Sequence, residues 1–427
     1  MIRNMNKIKF LLSIVFLTPA FYQCTTPAEQ AQWRGPERDG IYHETGLLTQ
    51  WPENGPELLW SVEELLPGFS SVSVANNMVY FTGIKDSMDY VIAVDINGNK
   101  KWEVPYGKAW NSSFPNSRCT PTVENDKLYV TSGLGDVACL NAITGEIIWK
   151  VEASKNFEGE FGGWGISESP LLVDNKLIFC PGGKKTTMVA LDKNTGETIW
   201  QTESLNDYPG YASPILANIN NIEVIINVMA NNLIGVNADN GNMLFHTDYA
   251  SISNEVSMAF WDGGPYTNTN NPIYKDHHVY LTSGYDHVGV MFKLSEDLSK
   301  AEVKWIDTTL DVHHGGAVLV DGFIYGANWI SNRDGNWCCI DWETGKTKYD
   351  TKWETKGSII YADGMLYCYE ERNGNIALVK ANPEKFDIVS SFKIPLGQGP
   401  NWSHPTIKNG VLYIRHMDAL MAYNIKK

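Results

Sequence analysis

Arg118, Glu168, Tyr211, Asn271, His313, His314, Lys356, Trp402 and His404 stand at or just ahead of short apolar runs that begin near Ser71, Thr120, Ser169, Ser213, Asn271, Gly316, Ser358 and His404. Together they offer cations, imidazoles, a carboxylate, an amide and flat aromatic faces. That mixture suits a pocket for an anionic or polyhydroxylated small molecule, in which guanidinium and ammonium groups meet negative oxygens and aromatic planes carry apolar faces. His313-His314-Gly315-Gly316 is the sharpest local feature, because two glycines let the backbone approach something closely. Adjacent histidines on a strand point to opposite faces, so joint metal ligation by this pair is not expected. The competing expectation is plainer: polar residues at strand starts satisfy backbone groups or solvate a channel. No residue is assigned a catalytic role.

Residues so far apart in sequence meet only if a repeat gathers them. A strand ending in Asp or Asn, a polar turn with Gly, and a short strand ending in an aromatic residue recurs, as in Ala93–Trp102, Cys139–Trp149 and Ala190–Trp200. Weaker copies run over Asn237–Phe245 and Asp341–Tyr349, and degenerate ones over Leu294–Trp305 and Lys380–Phe392. Asp or Asn bonds its own backbone and Gly supplies positive φ, so each copy is a tight hairpin. Between the hairpins lies a second alternating unit, such as Ser169–Phe179 or Val318–Tyr325. A spacing of roughly 40 to 55 residues is that of one four-stranded propeller blade. The fold class expected is therefore all-β, an eight-bladed β-propeller of four-stranded antiparallel blades. The last blade, Pro405–Asn424, is one strand short, and Leu58–Val62 has the character to supply it, so the ring is expected to close through an N-terminal strand. Residues ahead of each inner strand then ring one channel mouth. Two aromatic, Gly-rich loops, Phe161–Gly165 and Phe260–Tyr266, either wall that mouth or pack blades together.

The turn pattern Asp or Asn, x, x, Thr-Gly-Glu, x, x, Trp resembles that of the PQQ-type (pyrroloquinoline quinone) propeller family. That family includes quinoprotein alcohol dehydrogenases and the propeller lipoprotein of outer-membrane assembly. Trp33-Arg34-Gly35-Pro36 with Asp39-Gly40 resembles the leader of its secreted members. A dehydrogenase would imply PQQ in the mouth, Ca2+ on Glu168 and Asn271, Trp402 as stacking floor, and Arg118 or Lys356 on quinone oxygens. That motif set is incomplete: Cys338-Cys339 falls in an outer part of its blade, and there is no Cys-x-x-Cys-His haem motif. The assembly lipoprotein implies a protein-protein scaffold with envelope partners. A fold alone does not choose between these and a plain binding module.

The ends and the charge place the chain. Arg3, Lys7 and Lys9 precede an apolar stretch, Phe10–Tyr22, too short to span a bilayer, which reads as an export signal. Cys24 follows where a lipidated cysteine belongs, the alternative being ordinary cleavage after Ala20 in Thr18-Pro19-Ala20. The expected division is 1–23 signal peptide, 24–57 lipid-anchor linker and strap, and 58–427 propeller. The localisation expected is the cell envelope, anchored by lipid to the outer membrane and facing periplasm or surface. A formal net charge of −15 argues against nucleic acid as a partner. The remaining cysteines are scattered, without zinc-ligand spacing, and read as buried strand thiols. The reading is a lipid-anchored propeller that binds a small molecule or carbohydrate at its channel mouth.

Overall fold

The structure is a computed structural model that describes residues 29–427 except 257–266. The export segment with Cys24, and the Phe260–Tyr266 loop, lie outside the described residues. Eight sheets follow one another around a ring: five consist of four strands consecutive in sequence, two more add a short leader strand to four consecutive ones, and the last takes its fourth strand from the N-terminal side. The first blade runs Ser73–Ala75, Met78–Lys85, Met88–Asp95 and Lys100–Lys108, each strand pairing antiparallel with the next. The eighth consists of Thr406–Lys408, Val411–His416 and Ala419–Asn424, completed by Glu57–Val62. In that seam Leu58 pairs with Tyr423 and Trp60 with Ala422, so the two ends of the propeller close it as the missing strand required.

The middle strands of the blades are buried along nearly their whole length and only the outer strands are largely exposed, so both faces of each blade pack and the core is a series of seams rather than one cluster. Tyr80 and Ala93 of the first blade pack with Val123 and Leu128 of the second, and Phe179 and Leu191 of the third with Tyr129 and Trp149 of the second. The six described cysteines are free and buried in these seams. The turn motif explains how neighbouring blades lock. Trp149 donates its indole N–H to Lys193 O at 3.0 Å, and its ring lies against Gly196 in the next blade's hairpin. Gly196 has φ +76°, and a Cβ there would sit 2.8 Å from the Trp149 ring. Glycine is thus needed both for the turn and for the indole. Trp200 against Gly241 and Trp305 against Gly345 repeat the arrangement.

A belt of hydrogen bonds fixes the blades at the start of their inner strands. Ser71 N donates to Thr120 Oγ1, Thr120 N to Ser169 Oγ, Ser169 N to Ser213 Oγ and Ser213 N to Asn271 Oδ1, at 2.9–3.0 Å. His404 N donates to Ser71 Oγ at 2.9 Å across the closing seam. Many of the polar residues ahead of the inner strands therefore satisfy the backbone of a neighbouring blade.

The leader does more than connect. Gln30–Ala31 pairs antiparallel with Thr122–Glu124, beside the far end of that inner strand, and Ile41–Tyr42 pairs in parallel with Tyr361 and Ala362. Between them the chain enters the centre of the ring as far as the belt. Arg34 and Arg38 are almost wholly buried there. Arg34 donates to Ala317 O at 2.7 Å, to Ile359 O at 3.3 Å and to His404 Nδ1 at 2.9 Å. Arg38 donates to Ser169 O, Pro170 O and Pro214 O at 2.7, 3.0 and 2.9 Å, and Asn271 Nδ2 donates back to Arg38 O. The leader is a plug that ties blades three to eight together and closes the channel from the end opposite the mouth.

Candidate functional site

Register relative to the belt sorts the sequence-predicted residues. Two positions ahead of it come Arg118, Tyr211, His314, Lys356 and Trp402, joined at the same register by Phe69, which the sequence did not single out. These are the residues that gather at the mouth. The Trp402 ring lies 4.7 Å from Phe69, 5.5 Å from Phe114 and 5.0 Å from His314. Arg118 stands over Phe69 at 5.9 Å and donates to Phe114 O at 2.7 Å. Burial lowers the Arg118 pKa to about 10, against the opposing pull of Tyr211. Tyr211 OH accepts from Trp164 N at 3.3 Å, and those two rings lie 5.8 Å apart. Phe69, Trp164, Tyr211, Tyr285, Trp329 and Trp402 are each only part-buried, so the mouth is an open saucer of aromatic faces.

The residues at other registers are not free for a ligand. Asn271 is a belt residue: its carbonyl oxygen accepts from Ser213 N and its amide donates to Arg38 O. His404 is spent in the same way. Its Nδ1 accepts from Arg34, which leaves Nε2 to donate to His314 O at 2.9 Å, and burial beside Arg34 pushes its pKa well below the usual histidine value. Glu168, one position ahead of the belt, is buried toward Arg38 rather than gathered with the Trp402 group. Its Oε1 has no hydrogen-bond partner, and burial raises its pKa to about 8 while Arg38 pulls the other way. Glu168 and Asn271 therefore do not form a shared cation site.

The Glu168 shift has a measurable sign. A folded-state pKa above the unfolded one means that the folded protein holds the extra proton between about pH 4.5 and 8, so stability contributed at this site falls as pH rises through that window. Glu168→Gln, which keeps the shape without the titration, is expected to unfold like the wild type near pH 4.5 and to be more stable by about 4 kcal/mol at pH 8. Urea unfolding at the two pH values checks this. An equal difference at both would contradict it.

At the base of the saucer the structure corrects one expectation. His313 and His314 do not diverge: their rings lie 4.3 Å apart, tilted by 43°. The strand Val312–Val320 carries a bulge between Val312 and Ala317, which breaks the alternation that would send successive side chains to opposite faces. Gly315 and Gly316 serve this local path. A side chain at Gly316 would collide with the Arg34 guanidinium, and one at Gly315 with the Gly357 carbonyl. His314 Nε2 lies 3.3 Å from Glu371 Oε2, and Lys356 Nζ lies 2.5 Å from Glu371 Oε1 and 2.9 Å from Ser331 O. Burial first, then Lys356, drives the His314 pKa down to about 3, and His313 is likewise held neutral by burial. Glu371 is raised by burial against the pull of Lys356.

Sequence reasoning missed Glu371, Tyr285, Arg34 and Arg38. Glu371 follows Met365–Glu370, the second strand of its blade, and an antiparallel second strand returns to the mouth that the first one left. Reading the ends of second strands as well as the starts of first strands would have found it.

The quinone and calcium implied by the resemblance find little accommodation among these residues. The gap bounded by His313, His314, Gly315, Lys356, Gly357 and Glu371, about 140 Å³ even counting the solvent at its opening, lies well below the roughly 300 Å³ at which small-molecule pockets begin. Asn271 is committed to the belt and plug, and Cys338 and Cys339 are free thiols on the third strand of their blade. The described residues do not fit a tricyclic quinone held on calcium.

Fold and mouth together define an eight-bladed propeller of the PQQ type with a plugged channel. A family model described as outer membrane protein assembly factor BamB matches residues 87–351, more than half of the chain, and the chain belongs to that family. It is 25% identical over 243 residues to the outer membrane protein assembly factor BamB of Kangiella koreensis, covering 54% of each chain. The match thus spans about half the length of that relative. Among solved structures, BamB from Moraxella catarrhalis superposes with a TM-score of 0.60 at 15% identity, over 87% of this chain and 98% of that one. A europium-containing methanol dehydrogenase superposes with a TM-score of 0.63 at 14% identity, over 88% and 87%. These two likenesses concern the fold.

Proposed function

We propose that this chain is a cell-envelope binding protein whose propeller mouth takes a polyhydroxylated small molecule or glycan, with a preference for one carrying negative charge. The observation that carries the reading is the Trp402 cluster: part-buried aromatic faces from several blades around one mouth, with the Arg118 guanidinium among them. Aromatic planes accept the apolar faces of sugar rings, and a guanidinium pairs with carboxylate, sulfate or phosphate. The ligand rests on the saucer, above the small gap at its base.

A glycan array probed with the purified chain tests the reading. Trp402→Ala is expected to lower affinity for the best-bound glycan at least about tenfold, as loss of a central aromatic anchor does, with an unfolding midpoint close to the wild type. Unchanged binding in the folded variant, or no saturable binding to any acidic or neutral glycan, contradicts it.

A second reading, a docking platform for envelope assembly, is favoured by the family match, since that family is described as an outer membrane protein assembly factor. In either reading the chain is exported and held at the outer membrane through lipid on Cys24. No helix among the described residues is long and apolar enough to cross a membrane. Cys24→Ala is expected to move most of the protein from the membrane to the soluble fraction, because a lipid chain is then the main hold. Unchanged partition would sink the anchor.

A further inference from the structure

We propose that His313, His314 and Glu371 bind one divalent transition-metal ion of the zinc class, with the remaining coordination positions open toward the propeller mouth. The proposal does not depend on the ligand reading. One ligand atom from each of the three residues lies within 4.8 Å of the other two. His314 Nε2 and Glu371 Oε2 are 3.3 Å apart, which is about the edge of a tetrahedron with metal–ligand bonds near 2.0 Å. His313 Nδ1, His314 Nε2 and Glu371 Oε2 are all buried without a hydrogen-bond partner. Three such atoms facing one small gap are costly unless something meets them together. One cation does so, whereas one water has only two hydrogens to donate.

The surroundings hold the three atoms in place. His313 Nε2 meets Tyr285 OH at 2.8 Å, which frees Nδ1 for the ion. Lys356, anchored on Ser331 O, takes the other Glu371 oxygen and leaves Oε2 aimed at His314. Such outer partners commonly orient metal-binding imidazoles and carboxylates. The Lys356 charge also disfavours calcium and magnesium, which want several anionic oxygens, relative to ions that favour imidazole. His314 remains about a fifth exposed, so an ion reaches the site from the mouth. Two imidazoles and a carboxylate leave at least one position for water or for a ligand hydroxyl.

Cobalt(II) and zinc titrations of the purified chain test the proposal. One cobalt ion per chain is expected to give visible d–d bands, displaced by an equivalent of zinc. His314→Ala and Glu371→Gln should each abolish those bands and weaken zinc at least about tenfold. Tyr285→Phe should weaken zinc by about tenfold, the usual effect of losing an orienting partner. Asp239→Asn, in the exposed Asp174, Glu223 and Asp239 group, should change nothing. Glu371→Gln keeps the shape and an acceptor for Lys356, so it remains a test if His314→Ala fails to fold. Full cobalt binding in folded Glu371→Gln or His314→Ala, or no one-to-one binding by the wild type, overturns the proposal.

Discussion

Arg34→Met is expected to destabilise the propeller by about 3 to 5 kcal/mol, although Arg34 belongs to no blade. Its guanidinium donates to Ala317 O, Ile359 O, Asp39 O and His404 Nδ1, and so joins the sixth, seventh and eighth blades. Methionine of similar length fills part of the volume but donates nothing, leaving buried carbonyl oxygens unmet at about 1 to 3 kcal/mol each before relaxation. Burial has already lowered the Arg34 pKa to about 10, so the group is held against its solvation preference by those acceptors. Arg34→Lys should recover only part of the loss, because an ammonium cannot reproduce the fork. Urea unfolding reads both variants. A loss below about 1 kcal/mol for Arg34→Met would show that the plug is ornamental.

Trp149→Ala is expected to cost a similar amount, about 3 to 5 kcal/mol, by a different route. Trp149 is buried between the second and third blades against Tyr129 and the Gly196 turn, and its indole N–H meets Lys193 O. Alanine leaves a cavity that Gly196, with no side chain, cannot fill, and removes the donor to Lys193. Because a ring transmits strain through every seam, unfolding should remain one transition at a lower midpoint. Two separated transitions would contradict the closed-ring account.

The blades were legible because their signals are local: Asp or Asn with Gly makes a turn wherever it occurs, and Trp after it names the seam. The closing strand was legible for a related reason, since Pro405–Asn424 lacked one strand and Leu58–Val62 fitted. The plug was not. Arg34 and Arg38 lie in a polar, Gly-containing leader that reads as solvent-exposed chain, and an arginine buried against backbone carbonyls leaves no periodic trace. At the mouth, alignment found Arg118, Tyr211, His314, Lys356 and Trp402, yet placed Asn271 and His404 with them although those two lie in the belt. A shift of two residues along an inner strand separates groups that face the mouth from groups that grip the plug, and apolar periodicity does not resolve it. The histidine pair was misread because a bulge leaves the hydrophobic pattern of its strand intact while turning two side chains together.

If one mouth is the binding surface, hydroxyl-radical footprinting with the best array glycan shows it most directly. The opposite end of the channel offers a rival cleft lined by Gln32, Pro36, His43, Val72 and Lys408. The expected result is ligand-dependent protection of Phe69, Phe114, Tyr211 and Trp402, with His43 and Pro36 unchanged. Protection of His43 and Pro36 with the Trp402 cluster unaffected would place the ligand at the leader's end of the channel and contradict the account.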